Sequence, residues 1–497
     1  MGFEVKHVGA YGKFREMPPR SFALRIYVIA LILRLIPVFL ARGLGIGLDD
    51  MFQYDMLARS IAGGNGYRWY AQTDLNLLAS YVDFDLSGVD EYDPARGIPT
   101  SFRAPLYPSF LAIVYLISGT GSSRFFAARL AQAILLGAPL APLTYLTAQR
   151  LFPENESASR LASWIVALYP MLLIYPLGLG TENLFFILVL ASFFLTLKTI
   201  EKPIASLFLL SGLFLGLASL TRSIILPFAL VSLIWLWAFV SRRGALMAAL
   251  ALFIVIAPWI IRNSLLHGRL MGIESSMGYN LYLGYHPQGN GSFVFGPSLD
   301  LLTVLDDAER DQVGTQAALK FIQEQPGRFF PLALNRLGFF FGLEKRALIY
   351  FYSNNLLGYI SPLLLLSALS VFLLPFVLVS ASASLGFAII ARRQPKTILL
   401  IILMLAYPLP HVFILSEDRF HLALIPFFAM LAALFWSGGW ASLSARCRDG
   451  HAGKWAVVLS IGACALLLLN WGSELYRDAD KITAVLGPNG NQTYFPY

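Results

Sequence analysis

Several acidic residues stand where apolar segments end, and they are the side chains best placed for proton-transfer chemistry. Asp49 and Asp50 directly follow the first long apolar run, and Glu182 lies in a short turn between two apolar segments. Desolvation at an apolar boundary raises the pKa of a carboxyl group towards the range useful for a general base. Neighbouring helical residues point about 100° apart, so only one of Asp49 and Asp50 should face a shared cavity. We predict Asp50 as the catalytic base, with Asp49 and Glu182 as the alternatives.

Four arginines near the ends of apolar segments are candidates for binding an anionic group. They are Arg103, Arg222, Arg262 and Arg419. The guanidinium group presents a planar fork of donors that fits the oxygens of a phosphate. The alternative is that each arginine is an anchor whose side chain extends to the lipid headgroups.

Three roles are open for Glu182. It could hold the hydroxyl groups of a ligand, orient an arginine, or bind a divalent cation such as Mg²⁺ or Mn²⁺ together with Asp50. Arginines can neutralise a phosphate without a metal, so no metal requirement is predicted. The structural alternative is an acid that the helix dipole favours near a helix N-terminus, with Thr181 as the capping residue.

Five further polar or aromatic residues are candidates for contact with a ligand: Tyr54, Asn263, Tyr282, Tyr285 and His421. Tyr282 and Tyr285 belong to a stretch in which aromatic and small residues alternate, and aromatic faces suit carbohydrate recognition. An ordinary packed loop explains the same pattern. His421 is a single histidine at the end of an apolar segment, where a structural role is the alternative.

The elements that position these residues must lie largely in a membrane. Of the 497 residues, 57% are hydrophobic and only 13% are charged, whereas soluble domains carry about 25% charged residues. Spanning segments are helical because lipid offers no partners to the backbone. We predict an all-α polytopic membrane protein with about eleven transmembrane helices. The predicted spans are 21–41, 124–150, 158–178, 181–199, 203–220, 222–240, 245–262, 365–391, 397–415, 419–437 and 455–472.

The basic residues that flank the spans orient the protein. They fall in alternate connections, which the positive-inside rule places in the cytoplasm. Residues 1–20 are then a cytoplasmic N-terminus, 21–472 form the transmembrane domain, and 473–497 form an outer tail. Two large outer loops cover about 42–123 and 263–364.

The outer loops hold two apolar stretches, 104–118 and 329–342, that we expect to be helices lying in the membrane interface. The acidic residues of the outer loops within Asp74–Asp93 and Asp300–Asp311 are expected to be solvated. The formal net charge of +8 suits anionic lipid headgroups, so no nucleic-acid partner is predicted.

Short motifs spread over about residues 20–435 occur in a recognisable order. They are Asp50–Tyr54 followed by Gly63–Tyr67, then Arg103–Pro108, Thr181–Phe185, Gly216–Arg222, Pro258–Asn263 and Arg419–His421 with Pro426. This ordered set resembles the polyprenyl-phosphate-sugar-dependent glycosyltransferases of the GT-C fold. The nearest relatives in pattern are bacterial relatives of protein O-mannosyltransferases and the lipid A aminoarabinose transferases. Arg103 departs from the latter, which carry an acidic residue there, so the resemblance implies the broader bacterial branch.

The resemblance implies a glycosyltransferase of the plasma (inner) membrane. Such an enzyme moves a single sugar, with inversion, from a polyprenyl phosphate donor to a lipid, glycan or protein acceptor on the periplasmic or extracellular side. The resemblance implies that the four arginines Arg103, Arg222, Arg262 and Arg419 bind the donor phosphate. It also implies that the five ligand candidates, Tyr54, Asn263, Tyr282, Tyr285 and His421, contact the sugar or the acceptor. The alternatives are a transporter or flippase of lipid-linked sugars, or a ligase or polymerase of lipid-linked glycans. The notable charges gather at one face rather than at the bilayer midplane, which favours the enzyme over the transporter.

Overall fold

The structure is a computed structural model that describes residues 19–86, 89, 92–353, 355, 357–390 and 394–493. Most of the predicted cytoplasmic N-terminus and the last four residues of the predicted outer tail lie outside the described residues. The same is true of Arg392 and Arg393, two of the basic residues used to orient the spans.

Eight helices among the described residues are long and apolar enough to cross a membrane. They are Pro19–Leu40, Arg124–Leu151, Thr181–Glu201, Arg242–His267, Pro362–Ile389, Pro395–Phe413, Asp418–Arg448 and Gly450–Arg477. The helices Glu156–Leu168 and Pro170–Leu177 meet at a bend of 53°, and together they could form a ninth span. The predicted class, an all-helical multi-span membrane protein, is confirmed.

Two predicted spans correspond to shorter apolar helices. These are Ala205–Thr221 and Ser223–Phe239, the first of 17 residues. By length and composition the described residues therefore give eight or nine spans. The predicted number of about eleven is reached only if both shorter helices also cross. The turn at Arg222 and the 3₁₀ segment Ser223–Ile225 separate the regular parts of this pair.

The two predicted outer loops are folded rather than extended. Their helices are Asp50–Ala62, Gln72–Leu78, Leu106–Ser118, Met277–Tyr285, Phe295–Asp300, Asp307–Glu324, Phe329–Phe340 and Arg346–Ser353. Two-residue strands at Arg68–Trp69 and Ile98–Pro99 pair antiparallel. The apolar stretches predicted as interfacial helices are the helices Leu106–Ser118 and Phe329–Phe340, and their place at the interface stays a prediction. One further helix, Ala479–Val485, lies in the predicted outer tail.

Two acids expected to be solvated are buried instead. Asp74 accepts a hydrogen bond from Arg59 at 2.6 Å, and Asp307 accepts from Arg310 at 2.8 Å and from the Thr100 hydroxyl at 2.6 Å. The expectation of solvated faces was wrong here because the loops pack around a buried aromatic cluster that includes Trp69, Tyr70 and Phe102. Carboxylates enclosed by that packing require charged or hydrogen-bonding partners.

The helix ends separate into two groups in space. At one end Arg150 Nε lies 3.7 Å from Glu201 Oε1, and Lys396 Nζ donates to the Arg150 carbonyl at 3.3 Å. At the opposite end Arg419 lies near both Asp50 and Glu182. Successive connections between the helices therefore lie at opposite ends of the bundle, with Arg150 at one end and Asp50 at the other.

Candidate active site

Asp49 and Asp50 have different surroundings because a helix begins between them. Asp49 is the N-cap of the helix Asp50–Ala62, and its carboxylate accepts from the Met51 amide at 2.9 Å. Asp49 is exposed, whereas Asp50 is half-buried. A capping carboxylate satisfies a backbone donor that the helix leaves unpaired. The structure therefore leaves Asp50, rather than Asp49, directed at the cationic groups described next.

The Asp50 carboxylate lies between two arginines. Arg103 Nη2 donates to Oδ1, and Arg419 Nη2 donates to Oδ2 at 3.2 Å. Arg103 is held in turn by Gln53, whose Oε1 accepts from Nε at 2.8 Å. Its guanidinium carbon lies 5.4 Å from the centre of the Tyr54 ring. Tyr54, predicted as a sugar contact, thus lines the same site.

Arg419 connects Asp50 to two deeper carboxylates. Its Nε lies 2.7 Å from Glu417 Oε2 and 3.7 Å from Glu182 Oε1. Glu182 also accepts from Arg222 Nη1 at 2.7 Å. Of the roles left open for Glu182, contact with an arginine is the one that this geometry displays.

We call these six side chains the arginine–carboxylate cluster. Its members are Asp50, Arg103, Glu182, Arg222, Glu417 and Arg419. Three carboxylates face three guanidinium groups, so the formal charges balance.

The cluster has a closed side and an open side. The side chains of Glu417 and Glu182 are 3% and 6% exposed, whereas those of Asp50 and Arg419 are 35% and 37% exposed. A ligand therefore reaches Asp50 and Arg419 first. An anion that enters there competes with carboxylates for the same donors.

The electrostatics of Asp50 differ from the prediction. Burial acts to raise the pKa of Asp50, but Arg103 and Arg419 together outweigh it and hold the pKa well below its usual range. The predicted rise was wrong because desolvation was considered without the arginines that the fold places beside the carboxylate. Burial raises the pKa of Tyr54 to about 12, so this phenol stays neutral.

The structure does not bring Arg262 or Asn263 to the cluster in any described contact. Arg262 donates to the carbonyl oxygens of Thr100 and Tyr67, the latter at 3.3 Å. Asn263 is fully buried and donates to the Gly272 carbonyl at 3.0 Å. Both side chains join the end of the helix Arg242–His267 to loop backbone.

The two tyrosines predicted to bind sugar are occupied by other contacts. Tyr282 donates to Asp300 Oδ2 at 3.0 Å, and Tyr285 donates to the Phe413 carbonyl at 3.0 Å. Both are largely buried. The packed-loop alternative therefore describes their observed contacts.

His421 is likewise held within the protein. Its ring is fully buried and stacks on Phe376 with centroids 4.1 Å apart. Nδ1 lies 2.7 Å from the Phe340 carbonyl, and Nε2 lies 2.9 Å from Glu344 Oε1. These contacts match the structural alternative for a single histidine at a span end.

Three residues at or behind the site were not predicted from the sequence. Gln53 contacts Arg103, and Glu417 contacts Arg419. Glu417 could have been found by the reasoning used for Glu182, because it too is an acid in a short turn. Arg129 is fully buried and donates to the carbonyls of Leu44, Gly45 and Leu177, the last at 2.8 Å. It fixes the segment that leads into Asp49.

Among the described residues, no three His, Cys, Asp or Glu side chains are grouped so that they could hold a metal ion. The carboxylates of the cluster face guanidinium groups, whose paired donors can also bind an incoming anion.

Comparison with known proteins provides a family match over part of the chain. Residues 102–261 match the family described as dolichyl-phosphate-mannose-protein mannosyltransferase. This segment contains three members of the cluster, Arg103, Glu182 and Arg222. No curated protein matches the chain significantly.

Solved structures of membrane enzymes are similar to the chain at low identity. The oligosaccharyltransferase of Archaeoglobus fulgidus in the apo form is 15% identical, with 98% of this chain and 57% of that chain covered and a TM-score of 0.47. ArnT from Cupriavidus metallidurans bound to undecaprenyl phosphate is 12% identical, with 86% and 79% covered and a TM-score of 0.39. The chain thus spans less than two thirds of the length of the Archaeoglobus enzyme. The family match over residues 102–261 agrees with the resemblance indicated by the motifs in that part of the chain.

Proposed function

We propose that this protein is a membrane glycosyltransferase and that the arginine–carboxylate cluster is its active site. It would move a single sugar from a polyprenyl phosphate donor to a lipid, glycan or protein acceptor. The observation that carries this proposal is the meeting of Asp50 with Arg103, Arg222 and Arg419 at one partly open site. The family match over residues 102–261 supports the same chemistry.

The three arginines are the proposed cradle for the donor phosphate. Each already donates to a carboxylate, Arg222 to Glu182 at 2.7 Å and Arg419 to Asp50 at 3.2 Å. Guanidinium groups bind phosphate oxygens through paired donors, and the positive charge stabilises the phosphate as it leaves. Arg419 is the most exposed of the three and would make the first contact.

Glu182 and Glu417 are proposed to position the arginines rather than to touch the sugar. Both are almost fully buried, at 6% and 3% exposure of the side chain. A buried carboxylate fixes the direction of a guanidinium fork before the ligand arrives. Such preorganisation lowers the cost of binding and of stabilising the transition state.

Asp50 is proposed as the base, and donor binding would activate it. In the free protein the neighbouring guanidinium groups hold the pKa of Asp50 well below its usual range, which makes it a weak base. A phosphate that takes donors from Arg103 and Arg419 adds negative charge and removes stabilisation of the carboxylate. Both effects raise the pKa of Asp50, so its basicity increases only when the donor is bound.

The proposed reaction is a direct displacement at the anomeric carbon. The acceptor oxygen forms a bond to that carbon while the bond to the phosphate oxygen breaks. The acceptor proton passes to Asp50, and the electron pair leaves with the polyprenyl phosphate. A single displacement inverts the configuration of the anomeric carbon.

The site is proposed to face the periplasmic or extracellular side. The cluster lies at the helix ends opposite those that carry Arg150 and Lys396, and basic connections favour the cytoplasm. The donor lipid would lie in the membrane beside the cluster, with its phosphate at the level of the arginines.

The test uses purified protein in lipid nanodiscs with a panel of polyprenyl-phosphate monosaccharides and a cell-envelope extract as acceptor. Release of free polyprenyl phosphate is followed by mass spectrometry, and Asp50→Asn is the control. Release that requires both acceptor and Asp50 supports the transferase. Movement of intact donor across a proteoliposome bilayer without release would contradict it and favour the transporter.

A further inference from the structure

A groove of about 750 Å³ lies at the end of the bundle opposite the arginine–carboxylate cluster. It is formed where the helix Asp418–Arg448 ends and the helix Gly450–Arg477 begins. Arg419 stands near the start of the first of these helices. The helix rises about 1.5 Å per residue as far as Gly439, so the groove beyond it is roughly 30 Å from the proposed active site. A cavity of this size is within the range of small-molecule sites.

A break in the helix shapes one wall of the groove. Gly439 has φ of +58° and ψ of −160°, which is not helical and which residues with side chains rarely adopt. The chain changes direction there, and the following turns run from Trp440 to Arg448. Leu443 of this segment packs with Ala456 and Val457 of the next helix. The groove is thus a product of the backbone at Gly439 and of packing between two helices.

The polar end of the groove is basic. Arg448, His451 and Lys454 line it, and all three are exposed. None of the described lining residues is acidic. The adjacent acid, Asp449, pairs with Arg446 at 2.5 Å. The groove therefore presents positive charge to an approaching anion.

The remainder of the groove is apolar and continues onto the outer surface of the bundle. Lys454, Val457 and Ile461 follow each other at spacings of three and four residues, so they share one helix face. Trp440 is 68% exposed and Ile461 is 49% exposed. A cation at one end of an apolar stripe matches a ligand with an anionic head and a hydrocarbon chain.

We propose that this groove binds one anionic phospholipid. The headgroup phosphate would lie against Arg448 and Lys454, and an acyl chain would follow Val457 and Ile461. Basic pockets between transmembrane helices on the cytoplasmic side bind the headgroups of anionic lipids. Free inorganic phosphate has no chain for the apolar stripe, so the proposal commits to the lipid.

Cys447 lines the groove and provides a direct reporter of occupancy. Replacing the other cysteine in a Cys464→Ser variant leaves a single thiol. Its alkylation rate would be measured in nanodiscs of phosphatidylcholine, with and without phosphatidylglycerol. Native mass spectrometry of the same samples counts the anionic lipid retained after detergent extraction.

The groove variant is Arg448→Gln/Lys454→Gln, and the matched control is Arg242→Gln/Arg243→Gln, which removes the same charge from another helix. Phosphatidylglycerol is expected to slow alkylation about tenfold in the parent and control proteins and to have little effect in the groove variant. Lys454→Gln alone serves if the double variant does not fold. Equal protection in the groove and control variants would overturn the proposal, as would equal protection by inorganic phosphate.

Discussion

Arg419 Nη2 lies 3.2 Å from Asp50 Oδ2, although 369 positions of sequence separate the two residues. The contact joins the helix that follows the first span to the start of the helix Asp418–Arg448. Both side chains keep about a third of their surface exposed, at 35% and 37%. This pair is therefore where an incoming phosphate would first exchange partners with the protein, and the predictions below depend on that exchange.

Replacement of Asp50 by Asn is expected to lower kcat by about 10²- to 10⁴-fold, the usual contribution of a general base. Asn keeps the size of the side chain but cannot accept the acceptor proton. The matched control is Asp49→Asn, because Asn caps a helix as well as Asp does. Rates of polyprenyl phosphate release measure both variants, and near wild-type turnover in Asp50→Asn would move the base to another carboxylate.

The pH profiles should reveal activation of Asp50 by the donor. The profile of kcat/KM reports the free enzyme, in which the pKa of Asp50 is below its usual range. Its acid limb should therefore lie at lower pH than the acid limb of kcat, which reports the donor complex. If the acid limbs of kcat/KM and of kcat lie at the same pH, the proposed exchange of arginine partners between Asp50 and the donor phosphate is contradicted.

Arg103→Gln tests the cause of the low pKa. Removing a positive charge beside Asp50 removes one of the interactions that lower its pKa, so the pKa must rise. The acid limb of kcat/KM should then move to higher pH. Arg262→Gln is the control, because Arg262 has no described contact with the cluster and should leave the limb in place.

Arg222 and Arg262 should respond differently to the same substitution. Arg222→Gln removes a proposed phosphate donor and is expected to raise KM for the donor and lower kcat, by about tenfold or more in kcat/KM. Arg262→Gln removes hydrogen bonds to loop backbone and is expected to lower the unfolding temperature with KM little changed. Steady-state kinetics and thermal unfolding in detergent distinguish the two. An unchanged KM in Arg222→Gln would return Arg222 to the role of headgroup anchor.

Asp55 is predicted to be a structural residue despite its position near Asp50. It is fully buried and accepts from Arg124 at 2.7 Å, from Arg59 at 2.8 Å and from Tyr115 at 2.9 Å. Breaking a buried ion pair costs about 3–5 kcal/mol, because the remaining cations lose their partner. Asp55→Asn should therefore lower thermal stability strongly. Asp83→Asn, at an exposed acid, should have no measurable effect.

The sequence by itself determined the class of the protein and where its chemistry could lie. Apolar length is a local property, and the thickness of the bilayer converts it directly into spans. Charges at the ends of such spans are costly unless they meet partners. That argument selected Asp50, Glu182 and Arg222, and the search for phosphate-binding arginines added Arg103 and Arg419. The structure gathers these five residues into one cluster.

Only the tertiary structure decided how the candidate residues are used. Five candidates contact backbone carbonyls or other side chains of the protein instead of the cluster: Arg262, Asn263, Tyr282, Tyr285 and His421. No local pattern separates them from residues that face a site. The pKa of Asp50 likewise depended on arginines 53 and 369 residues away in sequence. Electrostatic shifts depend on distance in space, and the sequence alone contains no such distances.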